Sequence, residues 1–152
     1  MSVSGPDNES RIQETVKEWV ALLGQDRVVE DQAALDRMAR TTSVRGTRPC
    51  CVLYPTSTEE VQALVRVALA HRVVVYPISR GKNWGYGDAC APHPGAAIVD
   101  LSRMNRILEV NAELAYAVVE PGVSQGQLDM FLREQKTLSL IHISEPTRQA
   151  EI

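Results

Sequence analysis

Residues 51–76 constrain the fold more than any other part of this sequence. Cys51-Val52-Leu53-Tyr54 is a short apolar run that Pro55 ends. Ser57-Thr58-Glu59-Glu60 follows, a capping box with Ser57 at the N-cap and Glu60 three residues on. Val61, Leu64, Val65, Ala68 and Leu69 then fall on one helical face, and the helix is expected to end near His71. Val73-Val74-Val75-Tyr76 is β-branched without alternation, which predicts a strand buried on both faces. Strand, helix, strand in this order is a βαβ unit with parallel strands and a right-handed crossover.

The flanks fit around that unit. Residues 1–9 read as a flexible tail. Ile12, Val16, Trp19, Val20 and Leu23 repeat at three and four and predict an amphipathic helix over 10–24 that Gly24 stops, with Trp19 in the core. A helical turn is expected around Ala33 to Met38, and a loop over 41–49. Ala96 to Leu101 is another apolar strand. Ile107–Val110 and Leu114–Glu120 flank Asn111-Ala112-Glu113 closely enough to form an antiparallel hairpin. Pro121-Gly122 is a turn, after which Ser124 and Gln127 cap a helix with Leu128, Phe131 and Leu132 as its stripe. The expected fold class is therefore α+β: a parallel βαβ subdomain, then the start of an antiparallel one.

Composition excludes more than it selects. The 152 residues, 44% hydrophobic and 23% charged, suit one globular domain. A net charge of -3 and 5% aromatic residues offer neither a basic field for nucleic acid nor a base-stacking platform. No apolar run reaches the roughly 20 residues of a membrane span, and no signal peptide opens the chain, so a cytoplasmic location is expected. Cys50, Cys51 and Cys90 match neither a disulfide framework nor a zinc site. His93, between two prolines, is expected to be exposed. His71 at a helix end is explained by the helix dipole. Asp100 is suited to bonding a loop amide or a cofactor hydroxyl, the loop amide being favoured.

The segment that carries chemistry is Tyr76-Pro77-Ile78-Ser79-Arg80-Gly81-Lys82-Asn83-Trp84-Gly85-Tyr86-Gly87. It leaves the carboxyl end of a strand, where α/β sheets bind ligands. Gly81, Gly85 and Gly87 allow close backbone approach, and successive N–H groups there can form an anion nest. Arg80 and Lys82 add charge, and Ser79 and Asn83 add neutral donors. The spacing is neither that of a P-loop nor that of a Rossmann fingerprint. The residues alone leave two readings open, a diphosphate cradle and a turn-rich surface loop.

That segment resembles the pyrophosphate loop of the vanillyl-alcohol oxidase / 4-cresol dehydrogenase family, flavoproteins with an FAD-binding PCMH-type domain. Arg48-Pro49 and Pro55-Thr56-Ser57-Thr58-Glu59-Glu60-Val61-Gln62 resemble the family's first strand and helix. Asp100-Leu101-Ser102-Arg103-Met104-Asn105-Arg106-Ile107 resembles its next strand and turn, and Val119-Glu120-Pro121-Gly122-Val123-Ser124 a turn close to the flavin. The resemblance implies FAD as cofactor. It implies that backbone groups of Ser79, Arg80, Gly81, Lys82 and Asn83 hold the diphosphate, that Pro77 belongs to the same cofactor-binding segment, that Gly85, Tyr86 and Gly87 shape the loop and approach the cofactor, and that Pro121, Gly122 and Val123 line its flavin or adenosine side. It implies hydride transfer from a phenolic, benzylic or alcohol substrate to FAD, with oxygen, a cytochrome subunit or another protein open as electron acceptor. A non-catalytic nucleotide- or anion-binding module is the alternative.

From Leu138 to Ile152 the sequence leaves the family pattern and looks like a translated sequencing adapter. The expected organisation is a helical extension at 1–44, an incomplete FAD-binding domain at 45–137, and a non-family tail at 138–152. On that reading the chain is an amino-terminal fragment, inactive alone, and the catalytic residues lie outside it.

Overall fold

The computed structural model describes residues 6–41, 46–80 and 89–135. The chain divides into two compact units, with the division after Arg103.

The first unit is a four-stranded sheet with a helix layer on each face. Its elements are α1 (Pro6–Leu23), a 3-10 turn (Gln25–Arg27), β1 (Val28–Val29), α2 (Gln32–Met38), β2 (Cys51–Leu53), α3 (Thr58–His71), β3 (Val75–Ile78) and β4 (Ala97–Asp100). The sheet order is β1-β2-β4-β3. β2 and β3 both run parallel to β4, which lies between them, and β1 pairs antiparallel to β2. The expected parallel pair is thus present, but β4 occupies the place between its two strands. β1 was not expected, since two residues carry no periodicity.

Period-two alternation divides the sheet's side chains. Cys51, Leu53, Ala97 and Val99 face α1 and α3, where Val16, Trp19, Leu23, Leu64 and Ala68 complete one core. Val52, Ile98 and Ile78 face the other way and meet Leu35 of α2. Trp19 is wholly buried, as expected, and its indole Nε1 donates to the carbonyl of Leu64 at 3.2 Å. That bond satisfies the one polar atom of a large apolar side chain. Gly24 ends α1 at φ 92, where an added Cβ would lie 3.0 Å from Asp26 Oδ1.

The α3 stripe differs from the expected one. Leu64 and Ala68 are buried, but Val65 and Leu69 are 38% and 72% exposed. Val67 and Val73 complete the packed side instead. Leu64 and Ala68 lie inside as expected, but the packed stripe extends toward Val67 rather than toward Val65 and Leu69, with the Leu64 carbonyl held by Trp19. Ser57 caps α3 by accepting from Glu60 N–H at 3.3 Å. The carboxylate of Glu60 turns instead to the N–H of Thr56 at 2.7 Å and to Arg27 at 2.8 Å. Partial burial pulls this carboxyl upward, but the Thr56 and Arg27 bonds outweigh it and hold it below the ordinary range.

The helix ends in a Schellman motif: Val73 N–H bonds the carbonyl of Ala68 at 2.9 Å and Arg72 N–H that of Leu69 at 3.2 Å. Val73 and Val74 are consumed by this exit. β3 therefore starts two residues later than expected and runs into Pro77; among the described residues it lies at the sheet edge, and with Val75 and Tyr76 half-buried and Pro77 exposed it is not buried on both faces.

The second unit holds the expected hairpin, β5 (Ile107–Asn111) with β6 (Tyr116–Val119), and α4 (Gln125–Glu134). β6 begins two residues later than expected. Asn111 Oδ1 accepts from Leu114 N–H at 2.8 Å, and Ala115 takes φ 53, which makes 112–115 the turn. The capping box of α4 is complete: Ser124 Oγ accepts from Gln127 N–H at 3.2 Å and Gln127 Oε1 from Ser124 N–H at 3.0 Å. No helix among the described residues is long and apolar enough to cross a membrane.

Candidate cofactor site

β2, β4 and β3 run in one direction, so their carboxyl ends share one rim. β3 delivers Ser79 and Arg80 there, both exposed. β2 delivers Tyr54 and the buried Pro55, and β4 delivers Asp100 and then a 3-10 turn, Leu101–Arg103. Asp100 accepts from the N–H of Ser102 at 2.9 Å, the loop-amide role its position suggested. Arg103 lies over the ring of Tyr54, 5.0 Å from its centroid. Burial pushes the Tyr54 phenol up, with the Asp100 carboxylate adding to the rise. The phenol therefore stays neutral at ordinary pH and acts as a hydrogen-bonding group.

Pro77 sits within β3 opposite Val99, where edge placement tolerates a residue with no N–H. Gly81, Lys82, Asn83, Gly85, Tyr86 and Gly87, with Trp84, lie outside the described residues. So does the stretch 138–152.

Pro121, Gly122 and Val123 belong to the second unit, where hydrogen bonds fix their turn. Gly122 N–H donates to Met104 carbonyl at 2.7 Å and Val123 N–H to Glu120 carbonyl at 3.1 Å. Glu120 organises this segment. It is 7% exposed, and its carboxylate accepts from Arg106 N–H at 2.7 Å, Nε at 3.0 Å and Nη2 at 2.7 Å. The Arg106 side chain and N–H hold that carboxyl below the ordinary range. Sequence reasoning passed over this pair, although the hairpin register contains it: Ile107 opposes Val119, so Arg106 and Glu120 are the next residues outward.

His93 is exposed, as expected, with Nδ1 donating to Pro94 carbonyl at 2.9 Å. His71 at the end of α3 meets Glu18 at 2.8 Å.

Residues 49–145 match the sequence model of the FAD binding domain family. The chain belongs to this family. As an FAD-binding domain it is 34% identical over 145 residues to 1'-carboxy-chondrochloren decarboxylase of Chondromyces crocatus, covering 95% of this chain and 27% of that protein. It is 30% identical over 142 residues to the flavoprotein subunit of 4-cresol dehydrogenase [hydroxylating] of Pseudomonas putida, covering 91% of this chain and 27% of the subunit. Among solved structures, p-cresol methylhydroxylase with substrate bound superposes with a TM-score of 0.80 at 31% identity, over 85% of this chain and 26% of that one. The FAD-binding domain thus spans about a quarter of the length of these relatives. FAD as cofactor, the α+β PCMH-type fold and the likeness to the 4-cresol dehydrogenase family stand on these matches.

The donors of the rim suit such a cofactor. Ser79 brings a hydroxyl and Arg80 a guanidinium at the carboxyl end of a parallel strand, the chemistry a diphosphate requires.

Proposed function

We propose that this chain is the FAD-binding portion of a flavin-dependent oxidoreductase that acts on a phenolic, benzylic or alcohol substrate. The observation that carries the reading is the exit of β3: the glycine-rich segment begins at Ser79 and Arg80, on the carboxyl rim of a parallel sheet. Ser79, Arg80, Gly81, Lys82 and Asn83 would hold the diphosphate through backbone N–H groups and positive charge. Pro77 would set the loop's departure, and Gly85, Tyr86 and Gly87 would let it pass close to the cofactor. Pro121, Gly122 and Val123, in a turn of the second unit fixed by Glu120 and Arg106, would contact the cofactor in their own right.

Bound FAD would supply the redox chemistry, accepting a hydride from a substrate carbon. The substrate class is supported by the relatives named for 4-cresol and p-cresol.

The test is the visible spectrum of the protein expressed from its full reading frame, beside its Gly81→Val variant. The expected result is flavin absorbance that bleaches with a phenolic or alcohol substrate, and at least a tenfold loss of FAD affinity in Gly81→Val, where a β-branched side chain blocks close approach. Equal flavin content in the two proteins would overturn the loop assignment. Bound flavin that no phenol or alcohol bleaches would favour a non-catalytic binding module.

A further inference from the structure

Arg72 occupies a left-handed conformation, φ 54 and ψ 40, as the residue that follows α3. Glycine is the usual occupant of this Schellman position, because a Cβ there costs about 1 kcal/mol or more. The sequence keeps a long cationic side chain where glycine would relieve strain. The helix dipole favours a cation at this end of α3, and the side chain brings a guanidinium to it.

Arg72 lines a cleft of about 170 Å3 together with Arg11 of α1, Val73, His93 and Gly95. Three basic residues line it from three separate segments, the start of α1, the end of α3 and the loop before β4. His93 Nδ1 donates to the Pro94 carbonyl, so Nε2 can donate to an anion when the ring is protonated. Gly95 adopts φ 75, and a Cβ there would lie 3.5 Å from Ile12 Cδ1, so a bare backbone borders the cleft at this point.

The cleft is remote from the rim proposed to hold FAD. Val73 and Gly95 precede β3 and β4, so the cleft sits at the amino ends of strands whose carboxyl ends carry Ser79 and Asp100. Four residues of strand separate the two edges, roughly 13 Å.

We propose that this cleft binds a small oxyanion, a phosphate or carboxylate group, through Arg11, Arg72 and His93. Convergent charge-assisted hydrogen bonds are the chemistry that recognises such a group, and arginine is suited to two of its oxygens at once. The size admits the head of a metabolite or an acidic side chain, and leaves no room for a nucleotide.

The test is an amide-resolved NMR titration of the full chain with inorganic phosphate, and separately with acetate, at constant ionic strength. The expected result is saturable shifts at the amides of Val73, Val74 and Gly95. Arg72→Gly should weaken them about tenfold, the effect of one charge-assisted bond, with a Tm equal to or above that of the parent because glycine accepts this φ. His93→Ala should weaken them as well. Arg66→Ala, which removes the same charge from an exposed site on α3, should leave them unchanged. Tighter binding of phosphate than acetate marks the phosphate source, and the reverse order marks the carboxylate source. No saturable shift at these amides with either anion, or shifts indifferent to Arg72→Gly, would overturn the proposal. Shifts confined to Ser79 and Arg80 would also overturn it while leaving the FAD reading intact.

Discussion

The two units of this chain are stabilised by different means. In the first, every residue of β2 and β4 is buried, and Trp19, Leu53, Leu64 and Ile98 are sealed between sheet and helices. In the second, every residue of β6 is exposed, and Leu108, Leu114 and Met130 also face outward. Hydrogen bonds do more of the holding there: Glu120 to Arg106, the full capping box of α4, and Asn111 on the turn. Apolar burial gives a unit its own stability, whereas a two-stranded ribbon with polar clasps has definite geometry and little depth of core. The first unit is therefore the rigid platform, and the second is a shaped segment with apolar area to spare.

Breaking the first unit's core should have the largest effect. Trp19→Ala removes the side chain that joins α1 to α3 and leaves the Leu64 carbonyl without its indole donor. A loss of about 3–5 kcal/mol is expected in urea unfolding, and a loss below about 1 kcal/mol would mean that α1 is not integral to the platform. Acid should separate the units next. Glu120 has a lowered carboxyl pKa in the folded state, so its contribution is present above its unfolded value of about 4.3 and is lost as pH falls through the folded value. Amide exchange, corrected for its intrinsic pH dependence, should speed up at Arg106 and Gly122 between pH 6 and pH 3 before it does at Val52 and Ile98. Glu120→Gln should abolish that pH dependence, and parallel opening of all four amides would show that the units do not differ. The smallest effect belongs to Val118→Thr on the exposed ribbon, which should change stability by no more than about 0.5 kcal/mol. A larger loss would place Val118 in a core.

Legibility from sequence followed the same division of forces. Trp19, Ser57 and the Ser124–Gln127 box were readable because each is a local device with a fixed spacing. The exposure of Val65 and Leu69 was not, because which side of α3 turns inward beside Leu64 depends on Trp19, 45 residues from Leu64 along the chain. The start of β3 was hidden for a related reason. Val73-Val74 has the composition of a strand, and only the left-handed Arg72 diverts it into the helix exit. At the site, residues on strand ends could be placed from the pattern, which put Ser79 and Arg80 on the rim. Tyr54, Arg103 and Glu120 escaped notice because their roles are pairings across the fold.

Pro77 has one further consequence. Ala97 N–H bonds the carbonyl of Val74, so even-numbered residues of β3 turn their backbone toward β4, and Val75 and Pro77 turn theirs outward. A strand adding to that outer edge would find a donor at Val75 and none at Pro77. Among the described residues this is where the sheet ends, and the missing donor makes the end self-limiting: the edge is a poor template for sheet growth between copies of the chain in a crowded solution. The proline that leads into the glycine-rich segment is thereby also a guard against edge-to-edge aggregation.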